Sequence, residues 1–271
     1  MHRKVCCAGC SASRTGAVAE PATGPQPGSS AIYLIAMISI LVWPGAVFGQ
    51  NFVATPAPFF LTGPTRLDPA WRENGLPPDK AVPRTRFEPA ALDGQTVLRI
   101  ATDRSYGVLS HDGPAGGSLL SWRWRLERGL PQADITQRSG DDAALKVCLF
   151  FDQPMQDIPL LQRATLLLAR RSTGQALPAA TLCYLWDSRL QPGTSGHNPY
   201  TSRVRYLVLD GPASPPGQWV GHRRRVADDF ARLFGAESAQ TPPLLGLAVG
   251  ADSDNTGGQS LAYIDALRWN P

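Results

Sequence analysis

The chain has 271 residues, 43% of them hydrophobic, with 26 glycines, 25 prolines and a formal net charge of +4. That length supports one sizeable core, and the glycine and proline content favours many turns and short elements over long helices. Residues 1–49 hold Arg3, Lys4, Arg14 and Glu20, so residues 50–271 carry +2, a balance that argues against a nucleic-acid partner.

Residues 31–43 (AIYLIAMISILVW) form an apolar run with basic residues upstream. Val47 and Gly49 then stand at the −3 and −1 positions before Gln50. This is the pattern of a secretory signal peptide over residues 1–49, and the run is short for a bilayer span of roughly 20 residues. The expected location is periplasmic or secreted, with no stable membrane span after cleavage. Cys6, Cys7 and Cys10 fall in the segment to be removed and lack a second ligand pair at zinc spacing. Cys148 and Cys183 remain and could pair in an exported protein. Two buried free thiols are the favoured reading of them.

Residues 50–83 are proline-rich and aperiodic, which predicts an extended arm laid over the domain formed by 84–271. Strands are expected at Thr85–Glu88 and Thr96–Ala101, joined by a hairpin turn at Asp93-Gly94. Ser105–Ser110 follows, then Leu119–Glu127 (LLSWRWRLE), whose period of two puts Leu120, Trp122, Trp124 and Leu126 on one face. Ser121, Arg123, Arg125 and Glu127 take the other. Ala144–Asp152, Thr181–Trp186, Arg203–Leu209, Trp219–Arg224, Leu244–Ala251 and Leu261–Trp269 read as further strands. Val226–Gly235 is the best helix, with Val226, Phe230, Leu233 and Phe234 at helical spacing and Gly235 as a stop. Residues 157–170 fit a helical stripe of Ile158, Leu160, Leu161, Ala164, Leu167 and Leu168, or the start of a strand. Many short strands with one or two minor helices predict a mainly β fold, a β-sandwich or jelly roll.

Four polar clusters stand out. Arg123 and Arg125 need carboxylates or a ligand, and Asp141/Asp142 and Asp228/Asp229 are the expected partners. Asp141 and Asp142 would point to opposite sides of a strand unless the loop turns between them. Arg224, in the run before the helix, calls for an anion, with Asp228 and Asp229 close in sequence. Asp252, Asp254 and Asn255 set oxygen donors at close spacing in a glycine-containing turn, a pattern that suits calcium, the one cofactor the sequence suggests. Asp265 is either part of that cluster or an outward-facing strand residue. The tryptophans read as core. No G-x-S-x-G, HExxH or phosphate loop is present.

With these residues collected, the chain resembles an uncharacterised exported bacterial family, the domain of unknown function 3047. The likeness lies in LSWRWRL (Leu120–Leu126), GDDAALKVCLFFD (Gly140–Asp152), LCYLWDS (Leu182–Ser188), HNPYTSRVRYLVL (His197–Leu209), RRVADDFARLFG (Arg224–Gly235) and GADSDNTG (Gly250–Gly257). Cys148 and Cys183 lie outside the family pattern, which weighs further against a disulfide. The family also looks like jelly-roll carbohydrate-binding modules in its closing pattern, an Asp-Asn-Thr loop followed by an AYID strand. Together these features point to a binding module for a saccharide or another polar cell-envelope ligand rather than an enzyme. The expected ligand face gathers Arg123, Arg125, Asp141, Asp142, Asn198, Tyr200, Arg224, Asp228, Asp254 and Asn255. Two rival readings are a glycan-directed hydrolase using paired aspartates, which needs an open groove between them, and a structural envelope protein with no small ligand.

Overall fold

The computed structural model describes residues 55–61, 66–77, 80–113, 119–174 and 176–270. The signal-peptide reading and Cys6, Cys7 and Cys10 lie outside these residues. Twelve strands are named in chain order: β1 (Trp71–Asn74), β2 (Arg86–Leu92), β3 (Gln95–Asp103), β4 (Tyr106–Asp112), β5 (Leu119–Arg128), β6 (Leu145–Phe151), β7 (Ala180–Trp186), β8 (Ser195–His197), β9 (Val204–Asp210), β10 (Val220–Arg225), β11 (Leu244–Asp252) and β12 (Gln259–Asn270). Among the described residues two α-helices accompany them, α1 (Leu160–Thr173) and α2 (Val226–Phe234).

The strands form a seven-stranded sheet in the order β1-β4-β11-β6-β7-β9-β8 and a five-stranded sheet in the order β10-β5-β12-β3-β2. The antiparallel pairs β3–β12, β4–β11, β5–β10 and β6–β7 are nested one inside the next. That nesting is a long hairpin folded over on itself, the jelly-roll β-sandwich. β9 is added parallel to β7, with β8 on its far side. β1, from the segment read as a covering arm, pairs with β4 as an edge strand and buries Trp71. Asp93 and Gly94 both have positive φ, 51° and 76°, as a two-residue type I′ hairpin between β2 and β3 requires.

Alternation explains the layers. Leu120, Trp122, Trp124 and Leu126 of β5 face the seven-stranded sheet, where Trp122 meets Tyr184 at 5.2 Å and Trp124 meets Trp186 at 6.0 Å. The Trp124 indole donates to Asp210 at 2.6 Å, and His222 Nε2 meets the same oxygen at 2.7 Å. α2 closes one end of the core with Val226, Phe230 and Phe234. The second face of the seven-stranded sheet is also covered. Cys148 and Phe150 of β6, Cys183 and Leu185 of β7, and Tyr206 and Val208 of β9 pack there with Ile135 and Ala143.

Cys148 and Cys183 form a disulfide, which corrects the free-thiol reading. They are direct cross-strand partners in the β6–β7 register, with Cα atoms 4.0 Å apart. Sequence separation hides this proximity, because two strands must first be paired and their register fixed. Residues 160–173 are helical, yet of the stripe read from the sequence only Ile158, ahead of the helix, is buried; Leu160, Leu161, Ala164, Leu167 and Leu168 turn outward, and Leu166 and Ala169 are buried instead.

Candidate functional site

The residues singled out from the sequence fall into two groups. Arg123 and Arg125 lie on the outer face of the five-stranded sheet and are neutralised there. Arg123 is paired with Asp265 at 2.7 Å, hydrogen-bonded to Gln95 and set 4.6 Å over the Trp219 ring. Arg125 is paired with Glu127 at 2.6 Å and lies 3.7 Å from Asp93. Their partners lie on β5 itself, on the adjacent β12 and at the β2–β3 hairpin, not at Asp141/Asp142 or Asp228/Asp229 as the sequence suggested. Asp265 is thereby an outward strand residue, away from Asp252. Arg224 pairs with Asp229 at 2.5 Å, and Asp229 also accepts from the buried Tyr184 hydroxyl at 2.8 Å. Asp228 is exposed on α2. These four residues, Arg123, Arg125, Arg224 and Asp228, do not join the remaining candidates.

The second group converges at one end of the seven-stranded sheet. In an antiparallel sheet with β11 between β4 and β6, the end of β11 lies beside the starts of both neighbours. Asp252 ends β11, Tyr106 begins β4, and the loop holding Asp141 and Asp142 leads into β6. Asp142 ties that loop to the turn after β11. Its carboxylate accepts from the Asn255 N–H at 3.0 Å, the Thr256 N–H at 2.7 Å and the Thr256 hydroxyl at 2.5 Å. Asp252 accepts from the Ala143 N–H at 2.8 Å and from the Lys146 ammonium at 2.8 Å. Asp141 accepts from the Asn198 amide at 2.7 Å. The Asn255 amide and the Tyr200 hydroxyl both donate to the Arg138 carbonyl, at 2.8 and 2.9 Å. Three loops, 138–142, 198–200 and 252–256, are thus laced together through these side chains.

One carboxylate oxygen from each of Asp142, Asp252 and Asp254 lies within 4.8 Å of the others. Twice a calcium–oxygen distance of 2.3–2.6 Å is about 5 Å, so the three oxygens fit round one ion. Asp142 thus joins Asp252 and Asp254 of the cation set read from the sequence, while the Asn255 amide nitrogen donates to Arg138. Oδ1 of Asp254 is buried and has no hydrogen-bond partner. An orphaned carboxylate oxygen is a strong marker of an exchangeable proton or a missing cation.

The electrostatics agree. Burial, reinforced by Asp252, pushes Asp141 up to about 7. Burial, reinforced by Asp252 and Asp142, pushes Asp254 up to about 7 as well. Asp252 is raised by burial against the opposing pull of Lys146. Burial would lower Lys146, but Asp252 and the other acids outweigh it, so the ammonium is held above its ordinary range. One ammonium acts on three carboxyls, Asp141, Asp252 and Asp254. Lys146 went unnoticed in the sequence, although a lone lysine inside the apolar run ALKVCLFFD is itself a signal, because a buried ammonium needs a carboxylate. Beneath these groups a cavity of about 50 Å³ is bounded by Tyr106, Lys146, Asn198 and the Cys148–Cys183 bridge.

The fold and site together define a jelly-roll β-sandwich with a carboxylate-rich centre closed over by loops. The model of a protein family of unknown function, DUF3047, matches residues 69–268, and the chain belongs to that family. No curated protein matches the chain. Among solved structures, the catalytic domain of Humicola grisea Cel12A, in complex with a soaked thio cellotetraose, is similar at a TM-score of 0.36 and 11% identity, over 73% of this chain and 86% of that one. A likeness at that level carries no argument about chemistry.

Proposed function

We propose that this protein is a non-catalytic exported binding module. In this reading its working centre is a calcium site at Asp142, Asp252 and Asp254. The observation that carries the reading is the buried, partnerless Oδ1 of Asp254, on a carboxylate that has an oxygen within 4.8 Å of one each from Asp142 and Asp252. The donors are all oxygen, which favours a hard cation over zinc or copper. Asp254 and Asn255 are the half-exposed members of the site. A cation held there would offer its outer coordination positions to a hydroxyl-rich ligand, and a cell-envelope saccharide is the ligand class we favour.

A hydrolase would use the same two raised carboxyls, Asp141 and Asp254, as acid and base. A binding role through a cation at the loop surface is preferred because Asp254 and Asn255 are half-exposed there, while the cavity beside Asp141, about 50 Å³, is too small to enclose an organic substrate or ligand, which takes about 300–1,000 Å³. Calorimetry and thermal melting with calcium and magnesium test the cation, and a glycan array with and without calcium tests the saccharide. Calcium should bind and raise the melting temperature of the wild type but not of Asp254→Asn. A melting temperature unmoved by either ion would refute the cation site. Glycan hydrolysis by the purified protein would turn the assignment to the enzyme.

A further inference from the structure

Among the described residues the exposed large hydrophobic side chains are Leu61 and four leucines of α1: Leu160 (77%), Leu161 (81%), Leu167 (51%) and Leu168 (68%). With Ala164 they occupy i, i+1, i+4, i+7 and i+8, a single face of a 14-residue helix. The opposite face, Leu166 and Ala169, is buried. Leucines on both sides of a helix at this density are not accounted for by the core, and a contiguous exposed apolar stripe marks an interaction surface.

Charge selects the partner. α1 contains Arg163, Arg170 and Arg171 and no acidic residue. Arg171 lies at i+11 from Leu160, on the leucine face, and is exposed. Arg163 and Arg170 flank that face and donate to backbone carbonyls, Arg163 to Gln156 and Ile158 and Arg170 to Leu177. Among the described residues none of the three arginines is salt-bridged; Asp152 acts on Arg170 only from beyond that distance. Five apolar side chains fall well short of the roughly 20–30 residues per side of a stable protein interface. An apolar stripe edged and crossed by cations is the surface that seats in the headgroup region of an anionic bilayer, where arginine stems lie along apolar surface and their heads meet phosphates.

We propose that α1 docks on an anionic phospholipid surface, lying parallel to it, with Leu160, Leu161, Leu167 and Leu168 at the acyl boundary and Arg171 among the headgroups. The export pattern at residues 31–43 would bring the chain to such a surface. The surface is distinct from the aspartate site, so the two readings stand or fall separately.

The test is flotation of residues 50–271 with phosphatidylcholine vesicles, with and without a quarter phosphatidylglycerol, for the wild type, Leu160→Ser/Leu161→Ser/Leu167→Ser/Leu168→Ser and Arg171→Glu. The apolar run 31–43 is left off all three, so flotation reports on the folded part and differences report on α1. The serine variant should bind anionic vesicles more than about tenfold more weakly, and Arg171→Glu about tenfold more weakly, with unchanged circular dichroism and melting. Hydrogen exchange read by mass spectrometry should show 160–173 protected in the wild type on anionic vesicles. Equal flotation of all three proteins, equal capture on neutral and anionic vesicles, or binding without protection of 160–173 overturns the proposal. So does protection that rises with protein concentration in the absence of lipid, which would assign the face to a second copy of the chain.

Discussion

Lys146→Met removes the one ammonium that faces Asp252. The pair is 2.8 Å apart, and the two side chains are 8% and 1% exposed. Breaking a buried pair from one side costs about 3–5 kcal/mol, because the remaining charge is left uncompensated. Here Asp141, Asp142 and Asp254 add repulsion. In a domain of this size each kcal/mol moves the melting temperature by about 2–4 °C, so the variant should melt about 6–20 °C lower at pH 8 in chelator. The loss should shrink at pH 5. Lys146 is protonated in both folded and unfolded chains throughout that range, so the pH dependence belongs to the carboxyls, which take up protons and relieve the uncompensated charge. Lys146→Met/Asp252→Leu should regain most of the stability, since removing both partners leaves neither member of the pair as an uncompensated charge. Differential scanning calorimetry at the two pH values decides it. A loss below about 1 kcal/mol at pH 8, or an equal loss at both pH values, would refute the assignment of Lys146 as the counter-ion of this site.

Three further outcomes follow from the same structure. Asp141 is raised in the folded chain above its unfolded value of 3.8. Its contribution to stability is therefore fully present below pH 4 and lost as the pH rises through about 7, up to about 4 kcal/mol in all. In chelator, Asp141→Asn should flatten the decline of stability between pH 4 and 8, and an unchanged slope in calorimetric melts would show that Asp141 is not buried as described. Reducing the Cys148–Cys183 bridge, which spans a sequence separation of 35, should cost about 3–4 kcal/mol in urea titrations with and without reductant. Superimposable titrations would mean that the two thiols are not linked. Arg123→Ala should cost less than about 1 kcal/mol, because its half-exposed pair with Asp265 is screened by solvent, and a loss of calcium or glycan binding in this variant would move the ligand face to the five-stranded sheet.

The architecture was readable from the sequence because strand alternation and turn chemistry are local. Asp93-Gly94 announced its hairpin, and the tryptophans of LLSWRWRLE announced their buried face. The partners of Arg123 and Arg125 were not readable, since Asp265 meets Arg123 only once β12 is placed against β5 in register. The same limit hid the disulfide. Helical periodicity identified the α1 stripe but not its direction, because a period marks a face without saying what that face meets. For the aspartates, the sequence brought Asp252 and Asp254 together through adjacency. Asp142, more than a hundred positions earlier, needed the β4-β11-β6 order to reach them.

That order also constrains what the site can be. The loops bearing Asp142 and Asp254 hold each other through the Asn255 and Thr256 donors, so neither can move away to relieve the crowded charge. Two states therefore satisfy Asp254 at neutral pH: a proton on its carboxyl, or a cation shared with Asp142 and Asp252. They respond to pH in opposite ways. If a proton fills the role, stability rises as the pH falls from 8 to 5, with or without calcium. If a cation fills it, protons compete for the ligands, so added calcium stabilises most at pH 8 and progressively less towards pH 5. Melting the wild type across that range, in chelator and in calcium, separates the two without knowledge of the saccharide, and two curves that coincide at pH 8 would leave Asp254 as a buried acid and the module without its proposed cation.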